Sequence, residues 1–175
     1  MGAQTTEWDC STTSGTFTLS TDCVVSSEIV VTGSLDVTVL NISGIPDAQG
    51  ILPKIIGGGS NRLFKVRGGG HLTVRGVNLT GGDVGTNGSG GALFVSNGTL
   101  HLFSSVVHGS RATQGGGIRA EKNSTVSIYE SKIMHNYATE SHGGVSIFQS
   151  RVGIYNSRVL HNSANHSSGG IGLHQ

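Results

Sequence analysis

A phrase of 26 residues recurs through the second half of this chain, and no other feature restricts its fold so tightly. Leu100-His101-Leu102-Phe103 returns as Val126-Ser127-Ile128-Tyr129 and again as Val152-Gly153-Ile154-Tyr155, in two steps of 26. Val107-His108-Gly109-Ser110, Ile133-Met134-His135-Asn136 and Val159-Leu160-His161-Asn162 keep the same step, and Ala112, Ala138 and Ala164 close the units. Gly-Gly pairs open units at Gly90, Gly116, Gly143 and Gly169, in steps of 26, 27 and 26. A period of roughly 20 to 50 residues belongs to solenoids, propellers or arrays.

The pattern inside the unit chooses among these. Leu100/Leu102, Val126/Ile128 and Val152/Ile154 alternate with His101, Ser127 and Gly153. Alternation at period two puts the aliphatic residues on one face of a strand. No stretch of the repeat has apolar residues at helical spacing. Gly, Asn and Ser fill the gaps, because they tolerate positive φ or bond their own backbone. Three short strands in about 26 residues make one rung of a parallel β-helix, with rungs about 4.8 Å apart. A propeller blade would need about 40 residues. The expected fold is therefore all-β: a parallel β-helix of about four or five rungs, about 26 residues and three short strands per rung. Leu72, Leu100, Val126 and Val152 form one inward column, and Val74, Leu102, Ile128 and Ile154 a second.

Gly90-Gly91-Ala92-Leu93, together with the apolar-x-x-Asn phrases at Ile133–Asn136 and Val159–Asn162, resembles the repeats of the chlamydial polymorphic outer membrane proteins. The resemblance covers residues 62–175 and extends to β-helix proteins of the pectin-lyase-like class. This sequence departs from it: no apolar-x-x-Asn phrase starts with Phe, Ser110 stands where Asn is expected, and only the first Gly-Gly is followed by Ala. The resemblance implies a right-handed β-helix at a cell surface, in the outer membrane if the source is bacterial.

The length suits one domain. It divides into residues 1–61, an N-terminal cap with the first irregular rungs, and residues 62–175, the regular repeats, with further rungs expected after Gln175. Strands are expected at Thr16–Leu19, Val24–Val25 and Glu28–Val31, and the cleanest alternating strand is Leu35–Leu40. Cys10 and Cys23, the two cysteines of the chain, fit a disulfide closing the cap; two buried free thiols are the other reading. A disulfide implies an oxidising compartment. No run approaches the roughly 18 apolar residues of a membrane span. The net charge is +1 and 12% of residues are charged, which argues against nucleic acid as the main partner.

Several columns are candidate sites. Phe103, Tyr129 and Tyr155 share one register and face outward or sit at a corner. They form either a glycan-stacking platform or an aromatic ladder between rungs. Ser110, Asn136 and Asn162 form a structural ladder that bonds rung to rung, and Ser105, Ser131 and Ser157 align in the same way. His135 and His161 align, with His108 offset by one; His101, His142, His166 and His174 share no register. A zinc site wants three or four ligands, and none assembles, so no metal and no cofactor are expected. Six sequons, at Asn41, Asn78, Asn87, Asn97, Asn123 and Asn165, are candidate N-glycosylation sites; turn chemistry accounts for the same residues.

Catalytic residues are not evident. Hydrolysis of glycosides wants paired carboxylates, and the acids after residue 84, Glu121, Glu130 and Glu140, fall in no common column. The expected function is a non-enzymatic, secreted or cell-surface module for adhesion, glycan contact or structural display, with extracellular glycans or proteins as partners. The alternative is a fragment of a polysaccharide lyase or hydrolase whose cleft lies elsewhere.

Overall fold

The computed structural model describes residues 6–33 and 38–174. They form a parallel β-solenoid of six rungs, with no helix among them. Each rung visits three parallel sheets in the same order. The fourth rung, for example, runs through Thr99–Phe103 in the first sheet, Val106–His108 in the second and Ile118–Glu121 in the third. Between the last two, rungs four to six add a short fourth strand, at Arg111–Gln114, Tyr137–Ser141 and Ser163–Ala164.

The register explains why the period is the dominant signal. Leu40, Leu72, Leu100, Val126 and Val152 pair in sequence across the first sheet, and Ile42, Val74, Leu102, Ile128 and Ile154 lie two residues on. Successive strands add 4.7–4.9 Å in the hydrogen-bonding direction, so like residues stack in van der Waals contact. Leu72, Val74, Leu100 and Leu102 are fully buried. A full aliphatic side chain removed from water contributes about 1.5–3 kcal/mol, which makes these columns the main stabilising feature. In the last rung the cover thins: Val152 and Ile154 are half-buried.

The structure corrects four expectations. There are six rungs rather than four or five. The early rungs escaped detection because their step varies: from Leu40 to Leu72 it is 32 residues and from Leu72 to Leu100 it is 28. The loop 45–53, inserted after the first-sheet strand of the second rung, accounts for the longest step. Second, the strand expected at Leu35–Leu40 is instead Val39–Gly44, and residues 34–37 lie outside the described residues. Its phase is reversed: Leu40 is buried and Val39 exposed, because burial of Leu40 and Ile42 continues the columns above. Third, Gly91 rather than Gly90 is in register with Gly116, since Leu93 pairs with Ile118. The missing residue is restored at the next corner, where Lys122–Ser124 replaces the two-residue link Asn97–Gly98. Fourth, the Ala112, Ala138 and Ala164 column belongs to a sheet of its own.

Two corners show how sequence fixes the turns. Gly76, Ser104, Glu130 and Asn156 share one register and all have φ between 46° and 62°. Gly81, Gly109, His135 and His161 do the same at the next corner, between 53° and 70°. The left-handed turn is thus inherited rung by rung, with Gly giving way to polar residues that tolerate it.

The N-terminal end is closed by a cap. Thr6–Glu7 pairs with the first strand, Gly15–Leu19, and leads Trp8 into the core. Trp8 is 2% exposed, stacks on Phe64 at 5.8 Å and donates its indole N–H to the Thr12 carbonyl at 3.0 Å. Cys10 and Cys23 form a disulfide across this cap, with Cα atoms 6.0 Å apart. Asp9 accepts from the backbone N–H groups of Thr12 and Ser11, and those bonds hold its carboxyl well below the usual range.

Candidate functional site

The outer face of the first sheet carries the aromatic column. Phe103 and Tyr129 stack with ring centroids 5.1 Å apart, and Tyr129 and Tyr155 at 4.7 Å, with planes tilted by 7° and 12°. The Arg75 guanidinium lies 4.2 Å from the Phe103 centroid and covers its other face. The rings therefore spend their faces on each other and on Arg75. Only the far face of Tyr155, which is 50% exposed, stays open in this stack. A sugar stacks on a ring face, so the column presents edges and hydroxyls rather than a platform.

The polar columns bond rung to rung. The Ser110 backbone N–H donates to Asn136 Oδ1 at 3.0 Å, and that of Asn136 to Asn162 Oδ1 at 2.9 Å. The Asn136 and Asn162 side-chain amides donate to the carbonyls of Val107 and Ile133. Each Asn thus satisfies a backbone donor above and an acceptor across the corner, groups that would be costly to bury unpaired. Ser131 works in parallel, donating to the Tyr129 carbonyl and accepting from the Ser105 N–H.

The sequons divide by setting. Asn87, Asn97, Asn123 and Asn165 are exposed. Asn97 and Asn123 occupy turns with φ of 51° and 60°, a conformation that favours Asn. Asn41 and Asn78 sit half-buried within strands, and Asn41 donates to Thr16 Oγ1.

His135 and His161 stack at 5.4 Å. His142 and His174, which share no register, meet edge to face at 4.8 Å. His142 is 6% exposed, with Ser146 Oγ 3.4 Å from Nδ1 and Ser167 Oγ 3.2 Å from Nε2. Burial, then the charges of His174 and Arg119, push its pKa below the ordinary value. No group of three or more His, Cys, Asp or Glu that would hold a metal occurs among the described residues. The acids are dispersed: Glu28 pairs with Arg62, Asp22 with Lys54, Glu121 with Arg119, while Glu130 accepts from Ser104 and Glu140 from Gln114.

The third sheet carries a candidate site that the sequence did not disclose. Its strands Phe64–Arg67, Leu93–Ser96, Ile118–Glu121, Val145–Phe148 and Ile171–His174 send alternate residues outward. In register, one outward column reads Lys65, Phe94, Arg119, Ser146, Gly172, and its neighbour reads Arg67, Ser96, Glu121, Phe148, His174. The loop 86–89 and the fourth-sheet strand ending at Gln114 rise beside this face and make it a trough. One hollow of about 390 Å³ lies over Lys65, Phe94 and Thr113. A second, of about 350 Å³, lies over Arg119, Phe148 and His174, and Gln114 lines both.

Charge and aromatic surface are interleaved here. Arg62 and Lys65 lie over the Phe94 ring at 4.9 and 5.6 Å, and Arg119 lies 5.7 Å from the Phe148 centroid. Arg119 is 8% exposed; its Nη1 donates to Gln114 Oε1 at 2.9 Å and Ser146 Oγ at 2.7 Å. Its Nε has no hydrogen-bond partner, with Glu121 Oε2 at 3.6 Å, and Thr113 Oγ1 is also buried and unpartnered. Such atoms are uncommon in folded proteins; two of the three among the described residues belong to this trough. Sequence reasoning missed it because its columns do not repeat. The available signal was Arg119 itself, a cation between two apolar positions, Ile118 and Ala120.

No family model, no curated protein and no solved structure matches the chain. Among the described residues no helix is long and apolar enough to cross a membrane.

Proposed function

We propose that this chain is a non-enzymatic module of a secreted or cell-surface β-solenoid protein, and that it contacts glycans through the trough over the third sheet. One observation carries the reading: the trough joins two hollows through Gln114 and lines them with aromatic rings, amides and hydroxyls. Carbohydrate recognition draws on such a mixture, with ring faces for the C–H surface of a sugar and fixed polar groups for its hydroxyls. A solenoid adds length, since stacked rungs extend a surface along one axis. The Cys10–Cys23 disulfide supports an oxidising compartment. The motif resemblance to chlamydial polymorphic outer membrane proteins and pectin-lyase-like proteins supports a cell-surface setting and an adhesive role.

The enzymatic alternative has no comparable support, because the described carboxylates are engaged with separate partners rather than with one another. A glycan array probed with the intact chain tests the proposal. Binding that Phe94→Ala abolishes and Tyr155→Ala leaves intact is expected. Calcium-dependent cleavage of polygalacturonate or alginate by the purified chain contradicts it.

A further inference from the structure

We infer that the ligand of this trough is an anionic polysaccharide bearing its charge on alternate sugars, held by Lys65 and Arg119 with Phe94 between them. The inference rests on the proposed glycan contact and adds the ligand's chemistry. Lys65, Phe94 and Arg119 occupy one outward column on three consecutive strands. At the inter-strand spacing, the two cationic positions are therefore on the order of 10 Å apart along the trough. That span suits two sugar rings beside Phe94, with an acidic group reaching a cation at each end.

The cations are placed to receive anions. Lys65 makes no salt bridge among the described residues and leans over the Phe94 ring. Arg119 is more than nine-tenths buried, fixed by Gln114 and Ser146, and keeps an Nε–H without a hydrogen-bond acceptor. A planar guanidinium locked in place loses little entropy on binding a carboxylate or sulfate. Glu121 offsets part of the Arg119 charge, so the trough is only mildly positive. Each strand of a DNA duplex carries a charge about every 3.4 Å, far denser than cations on every second rung. The spacing favours the polysaccharide.

Binding of the intact chain is measured with hyaluronate, whose carboxylates fall on alternate sugars. The comparison polymers are its methyl-esterified form, dextran sulfate and single-stranded DNA. Hyaluronate is expected to bind at least about tenfold more tightly than its ester, a gap of about 1.4 kcal/mol, and to weaken with added salt. Lys65→Gln and Arg119→Gln should each remove most of that gap. Lys65→Gln breaks no hydrogen bond or salt bridge described for the side chain, so it keeps the test decisive if Arg119→Gln misfolds. Dextran sulfate is charged on nearly every sugar, so binding tighter than that of hyaluronate overturns the alternate-sugar spacing. Equal binding of hyaluronate and its ester overturns the anionic inference and leaves the glycan reading standing. Tighter binding of DNA overturns the inference in favour of nucleic acid. No binding to any polysaccharide on this panel or on the array overturns both.

Discussion

The outer faces of the first and third sheets use the same kinds of side chain to opposite ends. On the first sheet, Arg75, Phe103, Tyr129 and Tyr155 follow one another in register, and each covers the next. On the third sheet, Phe94 and Phe148 stand in different columns, and the positions above and below Phe94 hold Arg119 and Lys65. The ladder spends its ring faces on like rings between rungs, whereas the trough sets cations beside its rings, Arg62 and Lys65 at Phe94 and Arg119 at Phe148. In a solenoid, a side chain that repeats in register meets its own kind and is satisfied there. A side chain that breaks the pattern is left with capacity for something else.

Substitutions can break this contrast, and the largest effects are expected where the repeat is strictest. A Cβ on Gly116 would collide with the Tyr137 carbonyl oxygen, at a corner where backbone packs on backbone. Gly116→Ala should cost about 3 kcal/mol, a fall in Tm of about 6–12 °C for a chain of this size. Asn136→Ala removes the acceptor for the Ser110 N–H and the donor to the Val107 carbonyl. It should cost about 2–3 kcal/mol in a denaturant titration, while the equivalent change at exposed Asn87 should fall near zero.

Tyr129→Ala breaks both contacts of the ladder and should cost about 1–3 kcal/mol, since each aromatic pair contributes about 0.5–1.5 kcal/mol beyond area burial. Phe94→Ala has no ring neighbour to lose and should cost less while removing glycan binding. If the two exchange these phenotypes, the contrast fails.

The smallest effect concerns pH. Burial lowers the pKa of His101, His108 and His142, with His71, His135 and His174 adding to it in turn. Their folded-state values lie below those of the unfolded chain, so the unfolded state binds more protons as pH falls through and below about 6.5. Stability should be full above that point and decline on acidification toward pH 5. His142→Gln should flatten the decline, as seen in thermal melts at pH 7.5 and 5.

The ladder was legible in the sequence and the trough was not, for the same physical reason. Strand pairing at constant step carries a residue's identity to its neighbour, so Leu100, Val126 and Val152 announce their own contacts. Where the step changes, that reading fails: the 32- and 28-residue steps hid the early rungs and left the inward phase at Leu40 unread. The one-residue slip at Gly90 escaped because Lys122–Ser124 compensates it before the next first-sheet strand. Trp8 went unread because it acts by covering the end of the stack, a place without periodicity. The trough joins residues 65, 94, 119 and 148, which differ in kind, and only the register reveals that they are neighbours.

The most direct measurement sets Lys65→Gln and Tyr129→Ala side by side, each assayed for Tm and for hyaluronate affinity. The trough variant should lose about tenfold in affinity with its Tm unchanged, and the ladder variant should lose several degrees with its affinity unchanged. Loss of affinity in Tyr129→Ala without loss in Lys65→Gln would contradict the account and return the binding face to the first sheet.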